Sequence, residues 1–173
     1  MFKQKVILNK SECEQIINLC DDFHQSKVYD WKTNTGKVNK QKRNSEEAYF
    51  FDLDSLKKIV IPKLKEFNIK NLPDKTKVLR YKKGCFFTPH RDKGAGALEH
   101  RKLTLIIQLS ESTDYTEGKL IVDNQTASKE IGTLILFDST LIHQVTELID
   151  GERLALVSWI RDEDMIVEKK TLV

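Results

Sequence analysis

The stretch Tyr81-Lys82-Lys83-Gly84-Cys85-Phe86-Phe87-Thr88-Pro89-His90-Arg91-Asp92 decides how this chain is read. A short β-type run enters it, Gly84 turns it, and a second β-type run ends on a histidine and an aspartate two positions apart. Side chains at i and i+2 of an extended chain project to the same face, so His90 and Asp92 can reach one ion while Arg91 points away. A lone His-x-Asp is a weak signal, because composition alone produces such pairs often. Its weight depends on a third ligand and a counter-charge elsewhere in the chain.

Both occur downstream. His143 opens a later β-run, and two histidines with one carboxylate form the facial set that suits non-haem Fe(II) and leaves coordination positions open. Arg153 lies in a run where Arg153, Ala155, Val157 and Trp159 share one face, while Leu154, Leu156 and Ile160 form an aliphatic face read as outer packing. An arginine on the inward face of a small barrel is costly unless a carboxylate meets it. Its planar fork matches a carboxylate bidentately, and Ala155 and Val157 leave room for a small ligand. The competing reading is a surface ion pair with Glu147 or Asp150.

Around this centre the spacing predicts short strands at 77–81, 85–89, 103–109, 119–122, 133–137, 143–146 and 154–160, separated by glycine-bearing turns, the pattern of a sandwich or barrel. The N-terminal part reads differently. A strand is expected at 6–8, and Ser11 with Glu14 has the form of a capping box opening a helix to about Phe23, with Cys13, Ile16, Ile17 and Cys20 on its apolar face. The polar segment 25–45 reads as a long loop or weak hairpin. A second helix begins near Asp54 with Leu56, Ile59, Val60, Leu64 and Phe67 at helical spacing, and Pro62 is expected to kink it or end its first part. The expected class is α+β, mainly β: one domain over 1–173, with helical support in 1–76 and a β-barrel core of roughly eight strands in 77–162.

Composition sets outer bounds. At 173 residues with 39% hydrophobic and 32% charged residues, the chain has the size of one globular core. A net charge of +3 from 29 basic and 26 acidic residues does not imply a strong nucleic-acid field, although Lys37, Lys40, Lys42 and Arg43 cluster locally. Neither a signal-peptide core nor a membrane span is readable, and three cysteines without ligand spacing suit reduced thiols, so a cytoplasmic location is expected.

These residues resemble the 2-oxoglutarate and Fe(II) dependent oxygenases, most closely the prolyl 4-hydroxylase type and its bacterial PKHD-type relatives. The opening stretch is similar to the family segment Y-x-x-G-x-x-[YF]-x-x-H-x-D. The similarity continues through Arg101 to Ser110, Glu117 to Leu120, Gly132 to Ser139, His143 to Val145, Gly151 to Arg153 and Val157 to Ile160, covering about residues 78 to 161. The resemblance implies a double-stranded β-helix, or jelly roll, with Fe(II) held by His90, Asp92 and His143 and the distal carboxylate of 2-oxoglutarate met by Arg153. Tyr81 and Thr104 match positions that help hold the co-substrate, and Gln108 falls where some relatives place a tyrosine near that carboxylate. Trp159 matches a family aromatic, with plain core packing as the alternative. Two departures are visible: Glu117-Gly118 stands where the family often has Gly-Gly, and Phe87 replaces a frequent tyrosine.

The activity implied is hydroxylation of a peptidyl or protein side chain such as proline, with O2 consumed, succinate and CO2 released, and ascorbate as a candidate reductant. No general base is required. The alternatives are an oxygenase acting on nucleic acid or a small molecule, motivated by the lysine-rich loop with Arg161 as a lone downstream arginine, and a Zn(II) hydrolase or binding domain, which leaves Arg153 unexplained. Substrate contacts are expected in 25–50 and in the glycine-bearing loop 93–101, which could act as a lid. His24 and His100 read as solvated.

Overall fold

A computed structural model describes residues 1–30 and 32–167. In chain order, β1 (Phe2–Val6) precedes helix α1 (Lys10–Ile17), followed by β2 (His24–Gln25), β3 (Val28–Asp30), β4 (Thr35–Lys37), β5 (Arg43–Asn44) and β6 (Glu46–Tyr49). Helix α2 (Leu53–Leu64) leads to β7 (Lys77–Lys82), β8 (Phe86–His90), β9 (Leu103–Gln108), β10 (Tyr115–Glu117), β11 (Leu120–Val122) and β12 (Gln125–Thr126). The chain then forms β13 (Thr133–Asp138), β14 (His143–Val145) and the long β15 (Leu148–Ile160).

All described pairings are antiparallel. The larger sheet runs β1-β13-β9-β15-β7-β6-β2, with β10 also paired to β15; a second runs β12-β11-β14-β8-β5; β3 and β4 form a separate hairpin. The strand period of two divides side chains between two cores. Leu105, Ile107, Leu156 and Ile160 face Cys13, Ile16, Leu56, Val60 and Leu64 of the helices. Ile106, Ile135, Phe137, Ala155 and Val157 face Leu120, Val122 and Val145 of the second sheet. The aliphatic face of β15, expected as outer packing, therefore belongs to the core beneath the helices, with Leu156 and Ile160 fully buried and Leu154 partly so.

Three local expectations are corrected. The capping box of α1 is Asn9 with Glu12, not Ser11 with Glu14: the Glu12 amide donates to Asn9 Oδ1 at 2.8 Å, and the Asn9 amide donates to a Glu12 carboxylate oxygen at 2.9 Å. The helix stops at Ile17 rather than near Phe23, because Cys20 and Asp21 leave it to bridge Phe50 and Tyr49. Pro62 lies inside α2, which continues two residues beyond it and then tightens into a 3-10 turn over Lys65–Phe67. Strand positions shift as well. β1 covers 2–6 rather than 6–8, since an edge strand held by backbone pairing to β13 carries exposed lysines and no apolar alternation. Segment 25–45 holds the β3–β4 hairpin and β5, and β6 follows directly. The single-domain expectation includes residues 168–173, which lie outside the described residues.

Candidate active site

Register brings the first three residues together. β8 ends at His90, which pairs with His143 of β14, and Asp92 follows two residues past the strand. His90 Nε2 lies 3.5 Å from Asp92 Oδ1, and His143 Nε2 lies 3.2 Å from Asp92 Oδ2. One donor atom from each of the three residues falls within 4.8 Å of the others. Each imidazole Nδ1 faces a backbone carbonyl, Thr88 at 2.8 Å for His90 and Leu141 at 3.0 Å for His143. That arrangement places the ring proton on Nδ1 and turns the Nε2 lone pair toward the shared centre, the orientation a metal ligand needs. The donor set therefore fits a divalent metal.

Asp92 is held from behind. Thr104 Oγ1 donates to its Oδ2 at 2.8 Å and lies 3.0 Å from Ser139 Oγ, while the amides of Asp92 and Lys93 donate to the Ser139 carbonyl at 3.0 and 2.9 Å. The described contacts of Thr104 are thus with the triad carboxylate. Burial alone would raise the Asp92 pKa, but the two histidines outweigh it and hold the carboxyl well below its usual range. The same pairing raises His143 against the opposing effect of its burial.

Arg153 lies deeper between the sheets, paired in register with Tyr81 and 1% exposed. Its Nε and Nη2 donate to Gln108 Oε1 at 3.2 and 2.9 Å, and its guanidinium carbon lies 5.3 Å from the Tyr81 ring centre. No carboxylate meets it among the described residues, so neither Glu147 nor Asp150 is its partner. A buried cation whose hydrogen-bond acceptor is a neutral amide oxygen, with no carboxylate beside it among the described residues, leaves a charge that an anion can answer. Gln108 is oriented in turn by donating through Nε2 to the Ser128 carbonyl at 2.9 Å.

Several participants carried no motif. Tyr115, on β10, is buried, and its hydroxyl lacks a hydrogen-bond partner among the described residues. Burial raises its pKa while the Arg153 charge opposes the shift, so it shares the Arg153 end of the site. It stands in a polar stretch with no readable period. Lys77 could have been found, because it shares the odd-numbered face of β7 with Leu79 and Tyr81. Its ammonium meets Glu47 at 2.6 Å.

Beside His90 and Asp92 opens a cavity of about 500 Å³, lined by Trp159, by Leu98 of the 93–101 loop and by residues of the 27–49 segment. The two loops expected to recognise substrate touch each other there: the Ala97 amide donates to Tyr29 Oη at 3.4 Å, and Tyr29 hydrogen-bonds Asn34. The basic cluster is dispersed. Lys37 pairs with Asp30 at 3.4 Å, Arg43 is buried near Glu47 at 3.8 Å, and Lys42 remains at the cavity wall. Arg161 pairs with Glu163 at 3.4 Å, and His100 lines a different depression. His24 lies 3.7 Å from Glu47 and is half exposed.

A family model for the 2OG-Fe(II) oxygenase superfamily matches residues 76–161, the segment that carries His90, Asp92, His143 and Arg153. The chain belongs to the 2OG-Fe(II) oxygenase superfamily. Relatives include a PKHD-type hydroxylase of Maricaulis maris (strain MCS10), 32% identical over 49% of this chain and 40% of that protein, and one of Parvibaculum lavamentivorans, 34% identical over 47% and 39%. The match spans about two fifths of those relatives' length. A PKHD-type hydroxylase of Prochlorococcus marinus (strain NATL2A) is 26% identical over 90% of this chain and 75% of that protein.

Among solved structures, the fold is similar to a viral collagen prolyl hydroxylase from Paramecium Bursaria Chlorella virus-1 in complex with 2OG, with TM-score 0.63 and 23% identity over 92% of this chain and 95% of the other. A 2OG-Fe(II) oxygenase family oxidoreductase from Burkholderia pseudomallei gives TM-score 0.70 at 14% identity over 95% and 87%. A prolyl hydroxylase of Trichoplax adhaerens, in complex with a hypoxia inducible factor peptide fragment, gives 0.66 at 20% over 94% and 84%. At these identities the structures speak for the fold.

Proposed function

We propose that this chain is an Fe(II)- and 2-oxoglutarate-dependent dioxygenase that hydroxylates a peptide or protein side chain such as proline. One observation carries the reading: a His, Asp, His donor set and a buried arginine without a carboxylate partner among the described residues occupy the same inter-sheet space. His90, Asp92 and His143 hold the metal through Nε2, a carboxylate oxygen and Nε2. When bound, Fe(II) with 2-oxoglutarate and O2 supplies the oxidising power, and the co-substrate leaves as succinate and CO2.

The remaining roles belong to the protein. Thr104 and Ser139 keep the Asp92 carboxylate in one rotamer, so the ligand set is pre-organised. Arg153 binds the distal carboxylate of 2-oxoglutarate, with Gln108 orienting the guanidinium and Tyr81 and Tyr115 closing that end against water. The cavity beside His90 receives the substrate side chain and orients its C–H bond. The peptide complex of the Trichoplax relative and the PKHD-type names support this substrate class. We read the two packed sheets as the halves of a jelly roll, with 1–76 supporting a core in 77–162, and expect a cytoplasmic enzyme with ascorbate as a reductant. No helix of the described residues is long and apolar enough to cross a membrane.

Succinate formation tests the reading. It should require added Fe(II), respond to peptide panels, and fall at least about a hundredfold in His90→Ala, the usual scale for removing a group that supports the reaction directly. Undiminished turnover in that variant would sink the metal assignment.

A further inference from the structure

The cavity beside His90 has a cationic wall that the oxygenase reading does not use. Lys27, Lys42, Arg43, Lys75, Lys77 and Arg101 line it, and Arg91, also at its edge, turns its guanidinium to the Thr140 carbonyl. Among the described lining residues only Glu47 and Asp92 answer them with negative charge, and Asp92 belongs to the metal set. Lys27, Lys42 and Lys75 are exposed at the mouth and have no acidic partner among the described residues. Arg43 and Lys77 are buried, and both converge on the one carboxylate of Glu47, at 3.8 and 2.6 Å. Two buried cations sharing one anion leave a charge that a fold does not retain cheaply. Arg101 is equally underpaired, with Asp92 at 3.9 Å its one acidic partner among the described residues. The indole N–H of Trp159, buried at the same wall, also lacks an acceptor among the described residues.

The surplus of donors calls for an anion, and the aromatic rings say which kind. Bases of a nucleic acid bind by stacking on free ring faces. Here two of the lining rings are already engaged: His90 stacks on Phe87 at 3.6 Å with Arg43 4.7 Å from the same ring, and Trp159 carries Arg101 at 3.8 Å and Lys77 at 5.3 Å. A cation resting on a ring keeps its N–H groups available at its edge, where carboxylates bind. We propose that this cavity selects an acidic peptide segment, in which the residue that reaches His90 is flanked by aspartate or glutamate side chains received by Lys77, Arg43 and Arg101 and, at the mouth, by Lys27, Lys42 and Lys75. This inference rests on the oxygenase reading for the position of the reacting residue.

Binding and turnover test the two separately. Three fluorescent nonapeptides with a central proline, flanked on both sides by two glutamates, two glutamines or two lysines, are titrated by anisotropy against the full chain loaded with Mn(II) and 2-oxoglutarate, with a single-stranded oligothymidylate as competitor. The acidic peptide should bind at least about tenfold tighter than the other two, and the margin should shrink as salt is added. In the exposed triple variant Lys27→Gln, Lys42→Gln, Lys75→Gln, which leaves both cores untouched, the margin should fall below about threefold, and Lys77→Met should do the same. Equal binding of the three peptides, or a margin unchanged in the triple variant, overturns the proposal. Oligothymidylate displacing the acidic peptide at matched concentration overturns it in favour of nucleic acid. Absence of Fe(II)-dependent succinate formation with every peptide, alongside an intact acidic preference, would strike the oxygenase reading and not the cavity.

Discussion

At the scale of single residues, Arg153 is the most consequential. It is buried with Gln108 Oε1 accepting from its guanidinium. Replacing a poorly compensated buried charge with an apolar side chain of similar length is often neutral or stabilising. Arg153→Met should therefore change unfolding free energy in chemical denaturation by between zero and about +2 kcal/mol, while 2-oxoglutarate loses its ability to raise the melting temperature. A destabilised variant that still binds 2-oxoglutarate would remove the anchor role. His143 and Asp92 set a pH dependence of two opposite signs. The His143 pKa is raised above 6.5, so its stabilisation of the metal-free fold is complete below that unfolded value and lost as pH rises through the folded one. The Asp92 pKa is depressed below 3.8, so its contribution is complete above 3.8 and lost as pH falls through the folded value. The pair is at full strength between those unfolded values. Metal binding needs neutral imidazoles, so Co(II) affinity should decline as pH falls toward the acid side of neutrality while metal-free stability rises over the same interval. Two quantities moving in the same direction would contradict the pairing.

At the scale of elements, the turn after β10 shows what the departure from Gly-Gly means. Glu117 and Gly118 have φ of 60° and 58°, so a glutamate occupies a left-handed conformation that costs an L residue about 1–2 kcal/mol. Glu117→Gly should raise stability by roughly 1 kcal/mol after the entropy cost of glycine, and the melting temperature by about 2–4 °C. The exposed Glu117–Lys119 ion pair, 3.1 Å long, is too solvated to reverse that sign. A lower melting temperature would show that the carboxylate matters more than the backbone. Gly132 is the opposite case: with φ of 77°, a Cβ would lie 1.8 Å from the Leu8 carbonyl, which accepts no compromise short of moving the chain that joins β1 to α1. The strands themselves were readable where both faces are buried or alternate cleanly, as in β7, β9, β13 and β15. They were unreadable in β6 and at the edges β1 and β10: these strands are held by backbone pairing and carry charge, so no side-chain period marks them.

At the scale of the whole molecule, the larger sheet separates two cores with different duties. The helix-side core is aliphatic, and the inter-sheet core holds the site. Leu64→Ala should cost about 2–5 kcal/mol in unfolding free energy yet leave the KM for 2-oxoglutarate within about twofold, because the fully buried Leu64 contacts the layer that lacks the site. A large change in KM would mean that the helices also position the inter-sheet face.

The sequence by itself determined the segment that carries the chemistry, because spacing along a strand is local: His90 and Asp92 two apart, the alternation around Arg153, and the ordered anchors from Tyr81 to Trp159 depend on no distant partner. Only the tertiary structure decided what meets what. That β14 pairs with β8 and so sets His143 beside His90, that Arg153 finds an amide rather than a carboxylate, and that Arg43, Lys77 and Arg101 gather on one wall from three separate segments are all consequences of long-range register. Charges far apart in sequence carry no mark of their proximity, since burial is a property of the packed sheets and not of any stretch of chain.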